Sequence, residues 1–367
     1  MAGGTANVGL EQLCHGGGSG MATPVARVDQ DDWDQPATIY TVAERAGVSH
    51  QTVSRYLKGE SLRPRNRERV EQALSALNYQ VNAEARTLAT KKSRRIGAFV
   101  FDLDDWAPQR VLAGAAEAAR EAGYMLDILR VDPGDALSIR DAVRLMNRTT
   151  LAGAVVISPS DPVLERLGLE RLKVSFVIEA EPVLVPGDDR ALAHPFAQVV
   201  AHLAELGHER FFQVGGPRTW LAARNRLTSY REVLARRGLR NCGETAGEWG
   251  PAAGYEAMAS YPLDAAPTAI VAASDQLALG VLFWLQEHGV RVPEDVSVSG
   301  YDGIMDAAYY WPPLTTVAAD FARMGRNTVR ALLAPPDIGE RPELEMPVGR
   351  LIARASTGRA GAGISRA

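Results

Sequence analysis

Cysteine is scarce. The 367-residue chain has two, Cys14 and Cys242, far apart and outside any CxxC spacing. That excludes a disulfide framework and a zinc ribbon, and it fits a reducing cytoplasm. Long apolar runs are missing as well: no stretch approaches the roughly 18–20 uncharged apolar residues of a membrane span. The opening MAGGTANVGLEQLCHGGGSGM has neither a basic flank nor a continuous apolar core, so it does not read as a secretory signal. Catalytic signatures are absent too. There is no GxGxxG after a strand, no P-loop, no HExxH and no GxSxG. The GGGSG at 16–20 reads as low complexity, and the pairs Asp104–Asp105 and Asp188–Asp189 read as solvated loop carboxylates. No enzyme activity, catalytic residue, cofactor or metal site is expected.

What is present is a soluble globular composition, 46% hydrophobic and 23% charged, long enough for two or three domains. The net charge of −4 hides an asymmetry. Thr38 to Arg95 holds twelve Lys/Arg and five Asp/Glu, a balance of +7, so the rest carries −11. A basic module on an acidic body suggests that one end meets a polyanion. Charge alone fits a basic helical module without such a partner better.

Residues 1–37 lack any helical or strand period and read as a disordered tail, with Met21 an alternative start. From Thr38 to residue 81 the pattern is helical. Thr41 and Glu44 have capping-box spacing for a helix through Ala46, Gly47 supplies a turn, and Ser49 caps a helix to about Lys58. Pro64 starts a third helix that buries Val70, Leu74 and Leu77. Helix, tight glycine turn, helix is a helix-turn-helix pattern. Residues 82–95, NAEARTLATKKSRR, form an Ala-rich, basic segment with one exposed-looking leucine, Leu88, and little to bury.

From Ile96 short β-branched runs alternate with helices. Strands are expected at 96–103, 124–131, 152–158, 174–180, 211–216, 268–274 and 295–302, with helices between them. Two such sets mean two lobes with parallel sheets, and a ligand site at the carboxyl ends of the strands between them.

The helix after Gly47 has two faces. Val53 and Leu57 are spaced to pack on Val42 and Ala46, while His50, Gln51 and Arg55 face away. Arginine can bind guanine bidentately and glutamine can pair with adenine. Ser49, Thr52, Ser54 and the helix start suit phosphates, and Thr41 joins them. By itself the helix fits a solvated face of an unrelated bundle just as well.

The stretch TIYTVAERAGVSHQTVSRYLKG, the third helix ending LNY, and the basic NAEARTLATKKS resemble the DNA-binding head and hinge of the lactose-repressor (LacI/GalR) family. The resemblance runs through both lobes to the terminal RAST. It implies an all-α helix-turn-helix head with a hinge helix, followed by an α/β two-lobed periplasmic-binding-protein-like (type I) ligand domain at 96–357 and a disordered tail at 358–367. It also implies that residues 83–89 form a hinge helix with its twin in the minor groove, Leu88 opening the central base step and Asn82 and Ala85 touching DNA. A flexible linker is the alternative when DNA is absent.

Strand ends and loops of the body carry Trp106, Ser158, Glu179, Trp220, Arg224, Trp249, Ser274, Asp302 and Phe321. Aromatic faces cover the CH face of a pyranose, and Arg with Asp or Glu spans neighbouring hydroxyls. Any single tryptophan fits core packing more readily. The resemblance implies that Arg224 in GPRTWLAAR is the central hydroxyl-binding arginine, with Trp220 beside it. It makes Trp249 in GEW the stacking platform and Asp302 in GYD the opposing carboxylate. Phe321 is a wall and Glu179 a second carboxylate. Ser274 stands where the family commonly has asparagine, and Gly303 where a second Asp is common. The segment 185–198 lacks the usual glycine and has an unusual His194.

A head that reads a half-site needs a twin, so a homodimer on a palindromic operator is expected. No leucine heptads follow Thr357, so no tetramerising coiled coil is expected. The reading is a cytoplasmic, nucleoid-associated repressor of sugar-utilisation genes, released from double-stranded operator DNA by a small sugar, a galactoside or other β-glycoside. Alternatives are a regulator that needs its ligand or a partner to bind DNA, and a sugar sensor that does not bind DNA.

Overall fold

Thr38, rather than Thr41, starts the first helix in the computed structural model, which describes residues 37–79, 93–101, 103–132, 134–179, 181–261, 266–334 and 347–361. Thr38 has extended backbone, its side chain accepts from the Thr41 N–H, and the Thr41 hydroxyl accepts from the Thr38 N–H at 2.7 Å. The capping box is therefore Thr38 with Thr41, three residues ahead of the expected one, because both hydroxyls lie within reach of the free first-turn amides. Helix α1 spans Ile39–Ala46 and ends at Gly47 in the left-handed conformation. Ser49 caps α2, His50–Leu57, through the Thr52 N–H, as expected. Pro64 sits in the first turn of α3, Pro64–Ala76.

The three helices close on Val42, Ala43, Ala46, Val53, Val70 and Ala73. Leu74 and Leu77 pack at the margin rather than the centre. The small alanines let α1 and α3 approach. The chain divides into two compact units, Met1–Arg86 and Thr87–Ala367. Asn82, Ala85 and Leu88, and residues 1–36, lie outside the described residues.

The second unit has two parallel four-stranded sheets. The first contains β1 (Arg95–Val100), β2 (Met125–Arg130), β3 (Gly153–Ile157) and β4 (Phe176–Ile178), in the order β2-β1-β3-β4. Helices α4 (Trp106–Glu121), α5 (Ala136–Arg148) and α6 (Asp161–Glu170) connect these strands. After β4 come α7 (Arg190–Ala193) and α8 (Phe196–Glu205). The second sheet contains β5 (Arg210–Gly215), β6 (Arg240–Ala246), β7 (Ala269–Ala272) and β8 (Ser297–Ser299), in the order β6-β5-β7-β8. Its connecting helices are α9 (Leu221–Arg237), α10 (Pro251–Ala259) and α11 (Asp275–Glu287). The chain then pairs β9 (Thr316–Ala319) with β10 (Gly349–Ile352) antiparallel, and α12 (Phe321–Leu333) between them packs along α4 of the first lobe.

Sequence patterning finds the central strands, which are continuous apolar runs, but not all the edges. Strand β6 reads RNCGETA, polar with an internal glycine, and forms only because it lies at the sheet edge against β5. Strands β9 and β10 and helix α12 likewise have no assignment in the sequence reading. Residues 358–361 are a further correction. The Gly358 N–H donates to Ser297 Oγ and the Ala360 N–H to the Leu206 carbonyl, so this stretch is tied to the second lobe rather than free.

Candidate functional site

All nine predicted cleft residues line one cavity of about 330 Å³ between the two lobes of the second unit. The topology explains why. Trp106, Ser158 and Glu179 follow β1, β3 and β4, and Trp220, Trp249, Ser274 and Asp302 follow β5, β6, β7 and β8. Every one of these is a carboxyl end of a parallel strand, where the two sheets face each other across the gap. Phe321 enters from the start of α12 and is 5% exposed.

Arg224 is not opposite Asp302. Its guanidinium makes a fork with Asp161, Nη1 to Oδ2 at 2.6 Å and Nη2 to Oδ1 at 3.0 Å, and Nη1 also donates to the Arg218 carbonyl. The arginine that faces Asp302 is Arg226, two residues on and 3% exposed. Its Nη2 is 3.3 Å from Asp302 Oδ1, and its Nη1 donates to the Ala273 carbonyl at 2.6 Å. Residues two apart on a helix point in different directions. Arg226 turns inward and Arg224 turns toward the other lobe, a distinction that the run AARNR does not display. The guanidinium of Arg226 lies 4.3 Å from the Tyr301 ring centre and 5.1 Å from that of Trp249. These aromatic faces hold the cation where water is scarce.

The floor is rich in carboxylates. Glu179 Oε2 accepts from both the N–H and the hydroxyl of Ser158 at 3.1 Å, and burial pushes its carboxyl up to about 7. Burial pushes Asp302 up to about 8, with the Arg226 charge opposing it. Glu181, absent from the sequence reading, also lines the cavity. Burial pushes Glu181 up, but the hydrogen bonds from His194 and Asn225 and the charge of Arg226 outweigh it and hold the carboxyl below its ordinary value. His194 Nδ1 accepts from the Phe196 N–H, which leaves Nε2 to donate to Glu181 at 3.3 Å. The unusual histidine is thus a buried prop for a cleft carboxylate. Asn225 completes it, donating 2.9 Å bonds to Glu181 and the Pro182 carbonyl.

Of the buried polar atoms among the described residues that make no hydrogen bond, two belong to residues of the cavity wall: Arg226 Nε and Asp302 Oδ1. Buried atoms of this kind carry a desolvation cost that a ligand hydroxyl can relieve. Trp220 and Trp249 stand edge to face at 6.4 Å and 88°, giving the cavity two apolar planes at right angles. A Cβ on Gly216 would come within 2.5 Å of the Trp249 ring, so this tryptophan needs glycine beneath it. Ser274 lies at the cavity, but its Oγ accepts from the Leu277 N–H at 3.1 Å as the cap of α11. Asp302 is held at φ +108° by its N–H bond to the Val317 carbonyl. Gly303 follows at φ +72°, where a Cβ would meet the Ala318 Cα at 2.5 Å, so a second Asp has no room there. Among the described residues no group of His, Cys, Asp or Glu could hold a metal ion, and no helix is long and apolar enough to cross a membrane.

In the first unit the predicted polar face is exposed at Thr41, Ser49, His50, Gln51 and Arg55, and half-buried at Thr52 and Ser54. Some of these groups are engaged. Arg55 Nε donates to Glu60 at 2.8 Å, Ser49 and Thr52 hydroxyls are 2.9 Å apart, and Thr41 is bonded to Thr38. The His50 ring lies 5.3 Å from that of Tyr40 on α1, so Tyr40 shares this face. A link the sequence did not suggest braces it: Tyr56 and Arg67 both donate to Glu71 Oε1, at 3.0 and 2.9 Å, joining α2 to α3.

Residues 38–82 match "Bacterial regulatory proteins, lacI family", and residues 200–357 match "Periplasmic binding protein-like domain". The lactose operon repressor of Escherichia coli (strain K12) is 32% identical over 310 residues, 82% of this chain and 84% of that protein. The chain belongs to the lacI family of bacterial regulatory proteins. It is a DNA-binding transcriptional repressor with a ligand-binding domain, and not an enzyme. The solved lac repressor dimer bound to operator and the anti-inducer ONPF is similar over 88% of this chain and 100% of that one, with a TM-score of 0.72 and 29% identity. A complex of the regulator CelR with cellobiose is similar over 87% of this chain and 99% of that one, with a TM-score of 0.61 and 27% identity.

Proposed function

We propose that this repressor binds a palindromic operator as a homodimer and is released from it by a small sugar held in the interlobe cavity. The observation that carries the sugar reading is the Arg226–Asp302 pair, buried beneath Trp249, in which Arg226 Nε and Asp302 Oδ1 make no hydrogen bond. A polyol has neighbouring hydroxyls that donate and accept at once, which suits an arginine beside carboxylates, and its CH face suits Trp249 and Trp220. A galactoside or other β-glycoside is the proposed class, and the solved relatives with ONPF and cellobiose support it. His50, Gln51 and Arg55 are the base-reading side chains, with Thr41, Ser49, Thr52 and Ser54 on phosphates and Asn82, Ala85 and Leu88 in the minor groove. Residues 38–81 are the reading head, 82–95 the hinge and 96–357 the sensing and dimerising body, acting in the cytoplasm on nucleoid DNA. Arg55 would leave Glu60 for a guanine, exchanging an exposed ion pair of small value for a bidentate contact.

A thermal-shift screen of glycosides followed by gel-shift titration on a palindromic duplex tests the reading. Stabilising sugars should raise Tm by mass action and weaken the duplex complex. Sugar that strengthens the complex would reverse the sign of control, and a screen in which no sugar binds would overturn the effector class.

A further inference from the structure

The displaced Arg224 has a function of its own. We propose that Asp161 and Arg224 form a latch across the mouth of the cleft, setting how long the lobes stay shut around the bound ligand. The inference rests on the cavity being the effector site. Asp161 is the first residue of α6 in the first lobe, and Arg224 lies in the first turns of α9 in the second. Two ties join them. The fork of Arg224 on the Asp161 carboxylate is bidentate, the geometry in which an arginine–carboxylate pair is strongest and most directional. Beside it the Asp161 N–H donates to the Thr219 carbonyl at 2.9 Å, so backbone of one lobe is bonded to backbone of the other.

Each partner is aimed by its own lobe. The Arg218 carbonyl accepts from Arg224 Nη1 at 2.8 Å, fixing the guanidinium toward the gap. Asp161 stands at the amino end of a ten-residue helix, where unpaired amides favour a carboxylate. The pair also lines the cavity, as does Trp220 at the start of the helix that carries Arg224.

Its exposure distinguishes it from the pair on the floor. The side chains of Arg224 and Asp161 are 38% and 47% exposed, against 4% and 10% for Arg226 and Asp302. A half-exposed ion pair is weak, screened by salt and quick to break, which suits a contact that must part at every binding event. The buried pair is fixed architecture; the exposed one is reversible.

The test has a ligand-free arm and a sugar arm. Spin labels at Arg144→Cys and Ala235→Cys, in a chain with Cys14 and Cys242 replaced by serine, report the lobe separation by pulsed dipolar spectroscopy. The expected result is a narrow distribution for the parent chain, and a broader or longer one for Asp161→Asn, for Arg224→Gln and for the parent in about 0.5 M salt. Asp161→Glu, which keeps the charge, should restore the narrow distribution, and the Asp161→Asn/Arg224→Gln double variant should be no broader than either single one. In the sugar arm, o-nitrophenyl-β-D-galactoside and cellobiose are the probes, and dissociation should quicken about two- to fivefold in the single variants. Unchanged distances in both single variants, or a double variant with additive effects, would overturn the latch. If neither probe binds the parent chain, the glycoside reading fails and the distances alone decide for or against the latch.

Discussion

Arg226 and Asp302 reach the cleft floor from different elements, α9 and the loop after β8, and their side chains stand 3.3 Å apart under the ring of Trp249. Neither residue packs the lobes together by volume. Both are ionisable, nearly buried and incompletely hydrogen-bonded, a combination that is costly in a folded chain unless a ligand completes it.

Arg226→Lys should therefore remove binding while keeping a positive charge. Lysine lacks the planar fork that serves the Ala273 carbonyl and Asp302 together and stacks on Tyr301. Sugar affinity should fall about 10- to 100-fold by calorimetry, an effect of roughly 1.4–2.7 kcal/mol. Operator affinity without sugar should stay unchanged in a gel shift. A lysine variant that binds sugar as tightly as the parent would move the recognition elsewhere in the cavity.

The raised carboxyls set a pH dependence with a definite sign. Glu179 and Asp302 hold protons up to about 7 and about 8 in the fold, against ordinary values of 4.5 and 3.8. Between those limits the folded chain binds more protons than the unfolded chain, so stability falls as pH rises. The melting temperature should drop by roughly 3–10 °C between about pH 5 and pH 8. Asp302→Asn should flatten that slope, and scanning calorimetry across the range measures both.

Gly303→Ala should destabilise the body and disturb the site at once. The left-handed backbone at Gly303 and the 2.5 Å approach to Ala318 leave no place for a methyl group. A loss of about 2–4 kcal/mol in denaturant unfolding is expected, with weaker sugar binding because Asp302 is its neighbour.

Val53→Ala should act on the reading head alone. Val53 is fully buried in the core that the three helices share, so truncating it leaves a cavity there. A cost of about 1–3 kcal/mol falls on a small unit with little stability to spare. Operator affinity should drop while sugar binding holds, as paired gel-shift and calorimetric titrations would register. Equal loss of both would mean that the two units do not fold independently.

Much of the body could be read from patterning. GAVVI and AIVA are buried on both faces of their sheets, and such strands announce themselves as unbroken apolar runs. β6 could not be read this way, because an edge strand is defined by its neighbour rather than by its own composition. Of the cleft, Trp106, Trp220, Trp249 and Asp302 were legible as residues that follow strands, and the resemblance to the family added Phe321. Arg224 and Arg226 were not separable, since their difference is one of helical phase. Glu181 was not legible and His194 stood out only as unusual, because each is explained only by the other, thirteen residues apart in sequence but 3.3 Å apart in space.

The sequence by itself determined the helices of the head, the central strands of both sheets, and hence the strand ends on which a ligand site must lie. Those follow from local preference and burial, which a linear pattern carries. Only the tertiary structure decided which arginine faces the cavity, which carboxylates lose their water, and which ion pair spans the lobes. Those are relations between residues far apart in the chain, and their energies depend on distance and solvent exposure, which no linear pattern contains.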